Sequence, residues 1–122
     1  MIKFVPGATQ ANIVAIAAAL SPVQSVIAAD TGHINCHEAA SIESTGHKIL
    51  GLPNADGKLT SRQIAACAAE YYEGGAPEYL TEPKLVYISF PTEQGTLYSK
   101  GELRAISEVC KKYGMYLFVD GA

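Results

Sequence analysis

The clearest pattern of apolar and polar residues lies towards the end of the chain. Lys84–Phe90 is an apolar run rich in β-formers, Gly101–Tyr113 has apolar residues at helical spacing, and Met115–Val119 is a second apolar run. A helix between two such strands predicts a βαβ crossover and therefore a parallel sheet. Asp120 follows at the carboxyl end of the second strand, where open α/β sheets bind ligands. At this point its carboxylate has two interpretations, a helix cap or a functional group.

The same alternation continues through the earlier part of the chain. Two further strands are predicted, at Ser25–Ala29 and Lys48–Leu52. Three further helices are predicted, at Gln10–Leu20, Cys36–Thr45 and Thr60–Tyr72. Thr9 and Thr60 are expected to cap the first and third of these helices, and Gly46 to end the second. Strands that alternate with helices predict an α/β fold with a mostly parallel sheet.

The composition restricts the class of protein. A chain of 122 residues with 48% hydrophobic and 17% charged residues can form the core of one globular domain. Its net charge is −3 and its nine basic residues are dispersed, so we expect neither nucleic acid nor a membrane as partner. No apolar run approaches the roughly 18 residues of a membrane span. Cys36, Cys67 and Cys110 are far apart, which predicts reduced thiols and a cytoplasmic location.

Both ends of the chain are abrupt for this fold. Lys3-Phe4-Val5 enters a turn almost at once, and Gly121-Ala122 follows the last strand without another helix. A parallel sheet normally continues into a crossover that covers its face. We therefore expect the sequence to be a segment of a longer protein.

All three histidines, His33, His37 and His47, lie in one stretch that also contains Glu38. His33 and His37 are four residues apart and close to Cys36, a spacing that lets two imidazoles share a zinc ion. The order of residues does not match the HExxH zinc motif, however. A histidine at a strand end can instead stack on a planar ligand or act as acid and base near neutral pH. We prefer this second role for His33 and expect structural roles for the other two.

Polar loops follow the predicted strands at one edge of the sheet. Thr92 and Glu93 come after the first strand of the crossover, and Asp120 comes after the second. Because the carboxyl ends of parallel strands meet at one edge, these side chains are expected near His33 and the turn at Gly7. That turn precedes a helix, so its backbone amides and the helix dipole favour an anion such as phosphate. A plain helix start without a ligand is the alternative for the turn.

Four motifs occur in order along the chain: Phe4–Asn12, Gly32–Glu38, Thr92–Thr96 and Leu117–Ala122. Together they resemble the low-specificity threonine aldolases, which belong to the β-eliminating lyase group of fold-type-I pyridoxal 5'-phosphate (PLP) enzymes. The resemblance implies an α/β three-layer sandwich of the PLP-dependent transferase type, with a mostly parallel sheet. We expect residues 1–122 to form part of its large cofactor-binding domain, truncated at both ends and without a second domain.

The resemblance also implies roles for individual residues. Gly7, Ala8 and Thr9 match the segment that holds the cofactor phosphate, with Ala8 in place of a glycine that many relatives carry. His33 matches the histidine that stacks on the pyridine ring, and we expect it to be catalytic. Asp120 matches the acid that pairs with the pyridine nitrogen. Such a carboxylate keeps the nitrogen protonated and strengthens the ring as an electron sink.

Thr92, Glu93 and Glu38 complete the implied site. Thr92 lies in the loop that passes the cofactor, and Glu38 matches a glutamate on the substrate side. Glu93 stands where well-known members carry a histidine proposed as a catalytic base, so here a carboxylate would take that role. The lysine that forms the Schiff base with PLP, and an arginine for the substrate carboxylate, are expected beyond Ala122.

The implied activity is that of a PLP-dependent carbon–carbon lyase. It would cleave a small β-hydroxy amino acid, threonine or allo-threonine, to glycine and an aldehyde by a retro-aldol step, and it would do so as a homo-oligomer, a dimer or tetramer. Without the lysine, we expect the 122-residue chain to be inactive alone. Two alternatives stay open: a β-eliminating lyase of the same group, and a non-catalytic phosphate-binding or scaffold domain.

Overall fold

One parallel four-stranded sheet organises the chain, in a computed structural model that describes residues 1–121. Its strands are β1 (Gln24–Ala29), β2 (Ile49–Leu52), β3 (Glu82–Ser89) and β4 (Tyr116–Asp120). Their order across the sheet is β2-β1-β3-β4, and every neighbouring pair is parallel. The chain therefore leaves β1 in one direction to form β2 and then crosses back to add β3 and β4 on the other side. Ala122, the last residue of the fourth sequence motif, lies outside the described residues.

Helices cover both faces of the sheet and give three layers, as expected. They are α1 (Ala8–Ala19), α2 (His33–Cys36), α3 (Ser61–Tyr72) and α4 (Lys100–Tyr113), with short 3₁₀ turns at Glu43–Thr45 and Pro77–Tyr79. Helices α3 and α4 pack on one face, while α1 and the segment that begins with α2 pack on the other. No helix within residues 1–121 has both the length and the apolar character needed to cross a membrane.

The central strand β3 divides its side chains between two hydrophobic cores. Val86 and Ile88 face the core beneath α3 and α4, whereas Leu85 and Tyr87 face the core beneath α1. This alternation is the period of two that a strand imposes. Burial of each such side chain stabilises the fold by roughly 1.5–3 kcal/mol. The pattern also directs the phenol of Tyr87 towards α1, where it becomes part of the site.

The predicted βαβ crossover and the predicted capping of α3 are confirmed. The crossover from β3 through α4 to β4 joins adjacent parallel strands. Thr60 caps α3, and its side chain and that of Gln63 form a reciprocal capping box. Ser99 and Glu102 form a second capping box at the start of α4. Local sequence thus determines where these two helices begin.

The prediction that Thr9 caps α1 is wrong. Helical backbone begins at Ala8, so Thr9 lies inside the first turn with an exposed side chain, and Gly7 takes the capping position. Gly7 is extended and contributes no side-chain hydrogen bond. The amides of the first turn are therefore left without a capping side chain.

The predicted helix over Cys36–Thr45 is also wrong. Helix α2 ends at Cys36, and the backbone then turns through Ala39 and Ala40, whose φ angles are 47° and 61°. Left-handed backbone costs an L-residue about 1–2 kcal/mol, so a compensating interaction is needed. The turn brings the carboxylate of Glu38 into the interior, where three hydrogen bonds hold it. Tertiary contacts of one side chain thus override the helical pattern, although Gly46 does end the following 3₁₀ turn.

Candidate active site

A cleft opens at the carboxyl edge of the sheet, above the point where the strand order reverses between β1 and β3. Open α/β sheets bind ligands at such a reversal. The cleft has a volume of about 230 Å³. Its walls are formed by Ala8, His33, Ser89, Pro91, Thr92, Glu93 and Asp120. Five residues that the sequence placed in a candidate site therefore line one cavity, although they come from four separate stretches of the chain.

Asp120 is the last residue of β4, and its side chain turns towards α1. The Tyr87 hydroxyl donates a hydrogen bond to Oδ2 of Asp120 at 2.6 Å, and the Asn12 side-chain amide donates to the same oxygen at 3.3 Å. Asp120 pairs with Ser89 in the sheet register, which fixes its backbone next to the end of β3. The carboxylate thus stands on the cleft wall with its orientation held from behind.

Glu38 is the most deeply buried carboxylate of this region, with a side chain that is 0% exposed. Its Oε1 accepts hydrogen bonds from the Asn12 amide (2.6 Å) and from Nδ1 of His33 (2.9 Å), and its Oε2 accepts one from the Ser41 hydroxyl (2.7 Å). A buried carboxylate is tolerated only with such donors around it. Glu38 therefore lies behind His33 and contacts the cleft through that imidazole; its role on the substrate side stays a prediction.

His33 begins α2 and reaches the cleft with a side chain that is 39% exposed. The carboxylate of Glu38 favours the tautomer with a proton on Nδ1, because a carboxylate acts as acceptor. Nε2 is then the atom available to a ligand. His37 is exposed, with its ring 5.6 Å from that of His33, and His47 is buried with Nδ1 against the carbonyl of Gln24. Only His33 among the three lines the cleft.

Asn12 connects the two carboxylates and was not predicted as a site residue. Its side-chain nitrogen donates to both Glu38 and Asp120, and the residue is only 2% exposed. The signal in the sequence was its position: Asn12 precedes the fully buried Ile16 by four residues, so both lie on the same face of α1. A polar side chain on the buried face of a helix requires hydrogen-bond partners, which here are the two acids.

Tyr87 lies inside the apolar run Lys84–Phe90, so the sequence pattern counts it as a core residue. It is 1% exposed, and its ring stacks on Phe118 with centroids 5.6 Å apart. Burial raises the pKa of the Tyr87 hydroxyl far above its ordinary value, and the hydrogen bond to Asp120 raises it further. The phenol consequently remains a proton donor to Asp120 throughout the physiological range. A tyrosine inside a buried strand is itself a signal, because its hydroxyl must find a partner.

Gly7, Ala8 and Thr9 form the exposed start of α1. Ala8 lines the cleft, and no side chain caps the amides of this first turn. A Cβ atom added to Gly7 would meet no other atom within 4 Å, so the space in front of the turn is open. Free amides at the positive end of a helix suit an anionic group.

Thr92 and Glu93 lie in the loop that follows β3. The Thr92 hydroxyl shares a hydrogen bond of 2.7 Å with the hydroxyl of Thr96, within the same turn. Thr92 is buried against Gly57, so its predicted contact with a cofactor stays a prediction. Glu93 is exposed on the cleft wall, where the Ser89 hydroxyl donates to it at 2.6 Å.

Metal binding finds no support in the part of the chain that the structure describes. Within residues 1–121, no three or more His, Cys, Asp or Glu side chains are grouped so that they could hold a metal ion. Cys36, which sequence spacing placed near the histidines, donates its Sγ to the carbonyl of Asp30. The three cysteines are free thiols, of which Cys110 is buried and Cys67 half-buried.

Comparison with known proteins gives a consistent result. The sequence model of the family described as beta-eliminating lyase matches residues 1–122. The chain is 36% identical over 123 residues to the low specificity L-threonine aldolase of Pseudomonas aeruginosa, an alignment that covers 99% of this chain and 34% of that enzyme. The chain thus spans about a third of the length of this curated relative.

Solved structures agree in fold. A structure of threonine aldolase from Leishmania major has a TM-score of 0.89 and 48% identity, and the match covers 95% of this chain and 33% of the other. A putative L-allo-threonine aldolase from Listeria monocytogenes has a TM-score of 0.73 and 27% identity, with coverage of 96% and 31%. The sheet order and the helix layers therefore belong to an architecture that these proteins share.

Proposed function

Because the chain belongs to the beta-eliminating lyase family, we propose that it is part of a PLP-dependent lyase acting on β-hydroxy amino acids. The reaction is a retro-aldol cleavage of threonine or allo-threonine to glycine and acetaldehyde. Similarity to the threonine aldolases of Pseudomonas aeruginosa and Leishmania major supports this choice within the family. Since the chain covers about a third of those proteins, we assign turnover to a longer polypeptide and none to these 122 residues alone.

The observation that carries the proposal is the hydrogen-bonded series His33–Glu38–Asn12–Asp120, whose two end residues line the cleft and whose middle residues lie behind it. It holds an imidazole and a carboxylate at fixed positions on a surface that is otherwise open. Nothing in the packing of the sheet requires a buried and a half-buried acid joined by one amide. A cavity with this donor set suits a planar cationic ring, and the uncapped start of α1 suits an anionic group on the same ligand.

PLP fits that donor set, and each proposed contact follows from its chemistry. Asp120 pairs with the pyridine nitrogen, His33 stacks on the ring, and the amides of Gly7, Ala8 and Thr9 bind the phosphate. Thr92 lines the same cleft and would lie beside the bound ring. When bound, PLP supplies the electron sink that accepts the electron pair of the broken Cα–Cβ bond.

The residues of the chain must also move a proton. Cleavage of a β-hydroxy amino acid requires a base that takes the proton of the hydroxyl as the Cα–Cβ bond breaks. His33 and Glu93 are the basic groups that we assign to the cleft wall, with Nε2 of His33 free of its bond to Glu38. We propose that Glu38 is the acid on the substrate side and that it acts on the substrate through its hydrogen bond to His33.

The proposal extends to assembly and location. We propose a homo-oligomer, a dimer or a tetramer, located in the cytoplasm. Large apolar side chains are exposed at the start of the chain, with Ile2 at 82% and Phe4 at 95%, which supports an interface there. Light scattering of the purified protein, at concentrations above and below the micromolar range, tests the number of subunits.

The test of function uses the product of the whole reading frame that contains these residues, with PLP added. Acetaldehyde and glycine are expected in equal amounts from L-threonine or L-allo-threonine, and the 122-residue chain alone is expected to give neither. Asp120→Asn in the same protein should lower kcat by at least about a hundredfold, because the ring nitrogen loses its acid. Pyruvate from serine or cysteine derivatives, without acetaldehyde from threonine, would instead favour a β-eliminating lyase.

A further inference from the structure

We infer that Tyr87 and Asn12 are positioning residues that orient the Asp120 carboxylate towards a ligand ring nitrogen. The inference deepens the proposed function and rests on it, since it concerns the acid that the proposal pairs with the pyridine ring. Neither residue lines the cleft, so each acts through Asp120. The geometry behind the carboxylate carries the inference.

Both donors reach the same oxygen from the α1 side of the sheet. The Tyr87 hydroxyl lies 2.6 Å and the Asn12 amide nitrogen 3.3 Å from Oδ2 of Asp120. Two donors on one oxygen fix the rotation of the carboxylate plane about the Cβ–Cγ bond. The plane of the carboxylate decides whether a ring N–H meets a lone pair of its oxygens.

The two donors are themselves held rigidly. Tyr87 lies in the central strand β3, is 1% exposed and stacks on Phe118. Asn12 has its amide nitrogen anchored at 2.6 Å on Glu38, which is closer than its contact with Asp120. Because a rigid support restricts Asp120 before a ligand arrives, less ordering remains to oppose binding.

The same support links the two walls of the proposed cofactor site. Glu38 holds His33 at Nδ1, and Asn12 joins Glu38 to Asp120. The imidazole proposed for the ring face and the acid proposed for the ring nitrogen are thus fixed relative to each other by one neutral side chain. An amide suits this place because its two N–H groups can serve two carboxylates, whereas an acid there would add a third negative charge.

The experiment compares Tyr87→Phe with a matched control, Tyr72→Phe. The hydroxyl of Tyr72 also donates to a carboxylate, that of Glu82 at 3.0 Å, and its ring also stacks, on Tyr113 at 5.5 Å. Glu82 is the first residue of β3, so Tyr72 lies at the opposite edge of the sheet from the cleft. Each variant removes one oxygen atom and one hydrogen bond to an acid.

Two ligands distinguish a loss of Asp120 orientation from a general loosening of the fold. Pyridoxine 5'-phosphate carries the ring nitrogen and the phosphate but no aldehyde, so it needs no lysine for binding. Benzyl phosphate keeps the phosphate and an aromatic ring but has no nitrogen. Calorimetry measures both affinities with the 122-residue chain, after circular dichroism has shown that each variant is folded.

Tyr87→Phe should weaken pyridoxine phosphate binding on the order of tenfold, the loss expected for one hydrogen bond to a charged acceptor. Binding of benzyl phosphate should change less than twofold, and Tyr72→Phe should leave both affinities unchanged. The absorption spectrum of bound pyridoxine phosphate should also shift towards the form with an unprotonated ring nitrogen in Tyr87→Phe only. A purely structural role would not produce this spectral change.

Asn12→Ser provides a second variant, because serine keeps a donor at the buried position but is too short to serve both acids. It should weaken the same probe selectively. Equal losses for the two probes, or equal effects of Tyr87→Phe and Tyr72→Phe, would overturn the inference while leaving the proposed function intact. A wild-type chain that binds benzyl phosphate and pyridoxine phosphate equally, or neither, would overturn the proposed cofactor site and the inference with it.

Discussion

Glu38 shows how a single side chain can determine the path of the backbone. It is buried completely and receives three hydrogen bonds, one each from His33, Asn12 and Ser41. The left-handed residues Ala39 and Ala40 follow it directly. The cost of that turn is offset by contacts that only a carboxylate at this position can make, so the local backbone and the site depend on the same group.

Replacement of Glu38 should therefore destabilise the protein substantially. Glu38→Ala removes the acceptor of three hydrogen bonds, two of them from the buried residues Asn12 and Ser41, and we expect a loss of roughly 3 kcal/mol in the free energy of unfolding. Glu38→Gln should cost less, because one acceptor oxygen remains. Urea denaturation followed by circular dichroism measures both. Glu43→Ala, on an exposed residue of the same segment, is the control and should change stability by less than about 0.5 kcal/mol.

Sequence predicted the residues of the cleft wall better than those behind it. Asp120 ends β4 and His33 follows β1, and strand ends in a parallel sheet meet at one edge, so their proximity follows from topology. Asn12 and Tyr87 sit within an apolar helix face and an apolar strand, where pattern analysis counts them as core. Their function depends on which acid each side chain meets across the fold, and single-sequence patterns carry no such pairing.

Helix boundaries were predictable where a local capping motif defines them. Thr60 and Gln63 mark the start of α3. Their hydrogen bonds join residues only three positions apart, so the sequence itself shows where the helix begins. The segment after α2 lacks such a local device, and its conformation depends on partners as far away as Asn12. The prediction of a helix over Cys36–Thr45 failed because the contacts that determine this backbone come from residues distant in the sequence.

The left-handed pair in this segment offers a direct test. Ala40→Gly should raise the free energy of unfolding by about 0.5–1 kcal/mol, since glycine adopts a φ of 61° without the steric cost that alanine carries. Thermal and urea denaturation measure the change. Ala66→Gly, at an exposed position inside α3, is the matched control and should lower stability by a similar amount. Destabilisation by both substitutions would contradict the assigned backbone.

The first turn of α4 contains an ion pair, Lys58–Glu102, whose contribution to stability depends on pH. The hydrogen bond from Lys58, followed by bonds from Ser99, lowers the pKa of the exposed Glu102 carboxyl from 4.5 to about 2. Because the folded pKa lies below the unfolded value, the stabilisation is fully present above about pH 4.5 and is lost as the pH falls towards 2.

The stability difference between wild type and Glu102→Gln should accordingly be constant near neutral pH and shrink below pH 4.5. Urea denaturation at pH 7, 4 and 2.5 measures it. Glu108→Gln, on an exposed residue of the same helix, is the control for the loss of one negative charge. A difference that persists unchanged at the lowest pH would contradict the role of the ionised carboxylate.

At the scale of the whole molecule, side chains tie together the loops that surround the cleft. Asn54, after β2, donates to Asp30 and Thr31, after β1. Gly57 packs against Thr92, after β3, and a Cβ added to Gly57 would lie 2.7 Å from the Thr92 hydroxyl oxygen. The carboxyl edge of the sheet is therefore one connected surface. The fold class of the chain was predictable from its sequence, but these contacts between loops were not.

Gly57→Ala tests this connection, with Gly46→Ala as its control. The two glycines have nearly equal φ angles, 86° and 87°, but a Cβ at Gly46 meets nothing within 4 Å. Both variants should lose about 1 kcal/mol from backbone strain, and Gly57→Ala should lose roughly 1–2 kcal/mol more from its clash with Thr92. Urea denaturation measures the difference. Equal losses would show that the two loops do not depend on each other.

The contact between Asn12 and Asp120 also has a consequence for synthesis. It joins residues 108 positions apart, whereas Asn12 and Glu38 are separated by only 26. Asn12 and Glu38 are both translated before Asp120, so the hydrogen bond between them can form first. Contacts between residues far apart in the sequence form late in folding, because the chain between them must first be ordered. A ligand that needs both acids therefore recognises only a chain in which β4 has joined the sheet beside β3.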